Sequence, residues 1–72
     1  MYIEIKTQLI VDDEEIIEGS RIRVTAKSGE VIIGELQNVN SDDIDIDIES
    51  KMFGDVSIEI DKIESIEEFR GE

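Results

Sequence analysis

Residues Arg21 to Ile60 read, in order, RIRVTA, KSGE, VIIGELQNV, NSDD, IDIDIES, KMFGD and VSIEI. In RIRVTA, VIIGELQNV, IDIDIES and VSIEI apolar side chains alternate with polar ones, the period of a half-buried strand. The pieces between them carry Gly, Asn, Asp and Ser, the residues turns use. The stretch therefore predicts a meander of short antiparallel strands. Ile22, Val24 and Ala26 face inward in the first strand, Ile44, Ile46 and Ile48 in the third, and Val56, Ile58 and Ile60 in the fourth. In the second, Val31, Ile32 and Ile33 cover both faces at one end, and Gly34 sits mid-strand. A glycine there marks a bulge, a bend or a close backbone approach. In a small barrel the bend is its natural use.

Tyr2 to Val11 also alternates, with Ile3, Ile5, Thr7, Leu9 and Val11 on one face, and predicts one long strand. Asp12 and Glu15 resemble a helix capping box, and Gly19 suits the position past a helix end. One helical turn is expected there, with Ile16 and Ile17 plugging one end of the core; a wide hairpin loop is the alternative. Towards the C-terminus, Asp61-Lys62-Ile63 suits a 3₁₀ turn and Ser65 to Phe69 a closing strand anchored by Ile66 and Phe69. Arg70-Gly71-Glu72 is expected to fray. The organisation expected is one all-β domain over 1–72, with an N-terminal extension over 1–18 and a five-stranded barrel core over 19–69.

A 72-residue domain hides only about 60% of the surface its unfolded chain exposes, which favours association with further copies. The chain has no Cys and no His. Disulfides, soft metal sites and Ser/His or Cys/His catalysis are therefore excluded. No apolar run approaches the ~20 residues that cross a bilayer, and the N-terminus does not read as a secretory signal. A cytoplasmic protein is expected. Twenty acids against seven bases give a net charge of -13. That excess opposes phosphate backbones and anionic membranes. It suits solubility, a basic partner, or imitation of a nucleic acid.

Gly29, Gly34 and Leu36, in the order Gly-x-x-x-x-Gly-x-Leu, with Val39 before the next loop and the ending Val-Ser-Ile-Glu-Ile-Asp-Lys-Ile-Glu-Ser-Ile, resemble the Sm-like family. The resemblance covers Gly19 to Phe69 and implies a five-stranded SH3-like barrel that assembles in rings and binds single-stranded RNA. It further implies that the fourth strand of one subunit pairs with the fifth of the next. The RNA-contacting positions depart from the family. Asn40, Ser41, Asp42, Asp43 and Ile44 stand where the family has Asp, two residues, an apolar residue and Asn. Ile58 is followed by Glu59-Ile60-Asp61 where the family has a basic residue and glycine. Direct nucleic-acid binding is accordingly not expected.

Asp43, Asp45, Asp47 and Glu49 form a carboxylate strip on the outward face of one predicted strand. Carboxylates two apart in a strand are about 6.6–6.8 Å apart, near the spacing of successive phosphates, so the strip could occupy a DNA-binding cleft. The plainer reading is a solvated strand face. Calcium is poorly served, since a strand splays carboxylates too far apart for one ion and no EF-hand loop is present. Paired-carboxylate catalysis has nothing to single out a pair. Met52 and Phe53 either fold over a barrel mouth or offer an exposed contact. Arg21, Arg23 and Lys27 are expected to pair across strands with acids such as Glu35. The expectation is a non-enzymatic, self-associating module without a cofactor, binding a basic or DNA-binding protein through Asp43, Asp45, Asp47, Glu49, Met52 and Phe53.

Overall fold

The computed structural model describes residues 1–69. The fold is all-β, with two antiparallel sheets and a single 3₁₀ turn among the described residues. The first sheet holds β1 (Ile3–Ile5), β2 (Leu9–Val11) and β3 (Glu14–Ile16) in that order. The second holds β4 (Arg21–Ala26), β5 (Val31–Asn40), β6 (Asp45–Ser50), β7 (Gly54–Glu59) and β8 (Ile63–Glu68), in the order β7-β6-β5-β4-β8. The 3₁₀ turn Ile60–Lys62 joins β7 to β8. The strands of the second sheet and this turn fall where the alternation and the turn residues place them, within two residues at each end. Arg70, Gly71 and Glu72, expected to fray, lie outside the described residues.

The core is the inward half of that alternation. Ile22 and Val24 of β4, Ile32 and Leu36 of β5, Ile46 and Ile48 of β6, and Ile63 and Ile66 of β8 are all buried. Leu9, Val11 and Ile16 from the first sheet join the same cluster. The N-terminal sheet is therefore part of the core. Two features set β5 against β6. At Gly34 an added Cβ would run into the Glu49 carbonyl and the Ile48 side chain, so only a glycine lets β5 and β6 approach this closely. At Gln37 the β5–β6 register slips by one residue, a bulge of the kind that bends a strand locally.

The structure corrects four expectations. Tyr2 to Val11 is a hairpin of two strands that folds back through Lys6–Gln8. Alternation could not reveal the reversal. Ile3 pairs with Val11 and Ile5 with Leu9, so odd-numbered residues stay on one face through the turn. The expected helical turn is the β2–β3 hairpin. Asp12 (φ 50) and Asp13 (φ 70) both have positive φ, the two-residue geometry that fits strand twist. Asp tolerates that region, and Asp12 Oδ1 accepts the Tyr2 N–H at 2.8 Å. Ile16 is buried as expected, but Ile17 points outward. Ile44 belongs to a turn with φ 55, not to β6, and is exposed. That is an uncommon conformation for a β-branched residue, and Ile60 N–H donates to its carbonyl at 3.0 Å. Ile66 is buried, whereas Phe69 is half-exposed beyond the end of β8.

Leu9 tests whether the N-terminal sheet belongs to the core, since it is fully buried. Leu9→Ala is expected to lower the unfolding free energy by about 2–5 kcal/mol, read from urea unfolding. A loss of a few tenths would mean the first sheet is a dispensable attachment.

Candidate interaction surface

β6 lies between β5 and β7, so its outward side chains meet partners on both sides. Ile46 and Ile48 are fully buried, which turns Asp45, Asp47 and Glu49 to the other face. Register then builds three rows. Glu35 of β5, Glu49 and Asp55 of β7 form the first. Asn38, Asp47 and Ser57 form the second, and Asn40, Asp45 and Glu59 the third. Six of these nine positions are carboxylates and none is a base. Three of the cross-strand pairs, Glu35–Glu49, Glu49–Asp55 and Asp45–Glu59, oppose like charges. Each such pair works against folding.

The donors gather around Asp47 and its neighbours on β6. Ser57 Oγ donates to Asp47 Oδ1 at 2.6 Å. Asn40 Nδ2 donates to Asp47 Oδ2 at 3.2 Å and to Asp45 Oδ1 at 2.8 Å. Asn38 Nδ2 adds a long contact to Asp47 Oδ2 at 3.5 Å. Gln37 Nε2 donates to Glu49 Oε1 at 3.1 Å. The Ser57 hydroxyl first, then the Asn40 amide, hold the Asp47 carboxyl below the usual carboxylate range; slight burial opposes them and Asn38 assists. All of these donors favour the charged form. The centre of the grid therefore stays ionised among other carboxylates.

Of the residues singled out from sequence, Asp45, Asp47 and Glu49 stand together on β6. Asp43 does not: it is exposed in the turn before the strand. Met52 and Phe53 lie in the β6–β7 turn, where the buried Ser50 hydroxyl accepts both their backbone N–H groups at 3.2 Å. Met52 is 82% exposed and Phe53 49%, so neither is packed away over the core. Alternation in one strand missed Glu35, Asp55 and Glu59. The β6–β7 turn could have found two of them, because pairing Ser50 with Gly54 puts Glu49 opposite Asp55 and Asp45 opposite Glu59. Bases lie on the next strand. Arg23 pairs with Glu67 of β8 at 2.6 Å, not with Glu35. Arg21 is in register with Glu35 without closing a salt bridge. Among the described residues no group of acids is arranged to hold a metal ion, and no helix is long and apolar enough to cross a membrane. No protein-family profile, curated protein or solved structure matches this chain.

Two outcomes follow from this electrostatics. Glu49→Lys replaces two like-charge pairs by opposite ones. At roughly 0.2–1 kcal/mol per pair it is expected to raise the unfolding free energy by about 0.5–2 kcal/mol. The gain should shrink at 1 M salt, where the Debye length is about 3 Å. An unchanged urea midpoint would show that these carboxylates do not repel measurably. For Asp47 the folded pKa lies below the unfolded value of about 3.9. Its stabilisation is thus present above pH ~4 and is lost as pH falls through the folded value. Wild type should be more stable than Asp47→Asn at pH 7, and the difference should shrink progressively as pH falls below about 4. A difference independent of pH would reject the hydrogen-bonded carboxylate as its cause.

Proposed function

We propose that this chain is a non-enzymatic, self-associating cytoplasmic module on an Sm-like barrel, whose acidic sheet face binds a basic protein partner. The observation that carries the reading is the grid itself. Six carboxylates share one face of three strands, and their like-charge pairs oppose folding. A cationic partner would relieve that repulsion. The Sm-like barrel is supported by the close approach of β5 to β6 at Gly34 and by the 3₁₀ turn between the last two strands. The RNA-binding alternative is opposed by the acids at its expected contact points. Glu59 belongs to the grid, and the Asn40 amide is engaged with Asp45 and Asp47. The DNA-mimic alternative asks for a single track of charge. Asp43 lies off the strand, and the acids spread over three strands, which suits a protein surface better.

A decalysine peptide titrated calorimetrically provides the test. The triple variant Asp45→Asn, Asp47→Asn, Glu59→Gln is compared with Glu14→Gln, Glu15→Gln, Glu64→Gln, which removes the same charge elsewhere. The grid variant is expected to lose about tenfold in affinity and the control less than about threefold, as for a local electrostatic site. Equal losses would assign the binding to net charge and remove the grid as a site.

A further inference from the structure

The outward face changes character where β5 passes Gly34. There a depression of about 460 Å³ is lined by Arg21 of β4, Ile33 and Glu35 of β5, Glu49 of β6, and Lys51 and Met52 of the β6–β7 turn. We propose that this depression is the contact between two copies of the chain, related by a two-fold axis. The inference deepens the self-association in the proposed function by naming its surface, and it does not depend on the basic partner.

The charges argue for a second copy. Arg21 and Lys51 form no salt bridge among the described residues, although the chain carries twenty acids against seven bases. Beside them stand Glu35 and Glu49, which oppose each other across β5 and β6. Two bases and two acids make the patch neutral on a chain of net charge -13. It is a place where two copies can meet without direct repulsion. A neutral patch that holds both signs is complementary to itself, the requirement of a two-fold contact. Arg21 and Lys51 of each copy then face Glu35 and Glu49 of the other. That contact would give Glu35 and Glu49 counter-charges, where among the described residues of the monomer neither closes a salt bridge. The apolar content agrees. Ile33 is 42% and Met52 82% exposed, and an unbranched, polarisable Met adapts readily to a facing hollow. At physiological salt the Debye length is about 8 Å, so these local charges outweigh the distant ones at contact.

Sedimentation at physiological salt tests the contact with five samples, each checked for its fold by circular dichroism. Wild type is expected to dimerise with concentration. Met52→Glu, at an exposed turn position, is expected to weaken dimerisation about tenfold or more. Glu35→Lys with Glu49→Lys makes the patch all-basic, and Arg21→Glu with Lys51→Glu makes it all-acidic. Each double variant alone should be monomeric. Mixed one to one they should form a heterodimer, because each base of one then faces an acid of the other. A wild-type monomer at the highest concentration reached would overturn the proposal. So would dimers that Met52→Glu leaves intact, which would move the contact to the edge strands β7 and β8, or a mixture that stays monomeric. Decalysine binding by the monomeric Met52→Glu protein reports the acidic grid separately, so the two readings can fail independently.

Discussion

The pleat of β6 is the constraint on which both halves of this molecule depend. Ile46 and Ile48 have no exposed surface, and burying a side chain of that size stabilises by roughly 1.5–3 kcal/mol. A slip of one residue would bury Asp45 and Asp47 instead, at a desolvation cost that no acid without a counter-ion can recover. Core and acidic face are thus one decision made by one strand. Because β6 is internal, its outward carboxylates cannot avoid neighbours on β5 and β7. The like-charge pairs are the consequence of an inward pattern the core requires and an outward pattern the core does not explain.

The strands of the larger sheet were legible because each is a short run of period two between turn residues, and because β-branched residues fill it. The N-terminal segment was not. Its hairpin keeps odd residues on one face through the reversal, so its alternation is that of a single strand. Asp12 and Asp13 offered the same acids to a helix start and to a left-handed turn, and no local preference separates the two. Pairing decided it: Tyr2 exchanges hydrogen bonds with Asp12, and Leu9 sits opposite Ile16. Ile44 misled for a related reason. It continues the alternation of Ile46 and Ile48, but the turn that carries it needs a positive φ.

The surface was half legible. One strand shows its own side chains and not those beside it, so alternation named Asp45, Asp47 and Glu49, while Asp55 and Glu59 needed the β6–β7 turn and Glu35 the β5–β6 register. Their membership follows from two registers, one shifted by the bulge at Gln37. The donors around Asp47 come from both neighbouring strands. A pattern read within one strand holds no information about either.

Net charge is a poor description of what an approaching molecule meets. Strands lie about 4.8 Å apart, so β4 and β6 are separated by roughly 10 Å, slightly more than the ~8 Å Debye length at physiological salt. Along that distance the outward face passes from Arg21 and Arg23, through exposed Val31 and Ile33, to the β6–β7 carboxylates. A partner touching β6 and β7 meets acids alone, while one touching the depression at Gly34 meets the grid's own Glu35 and Glu49 balanced by Arg21 and Lys51, beside exposed Ile33 and Met52. One small sheet can therefore attract a cation at one place and a copy of itself at another.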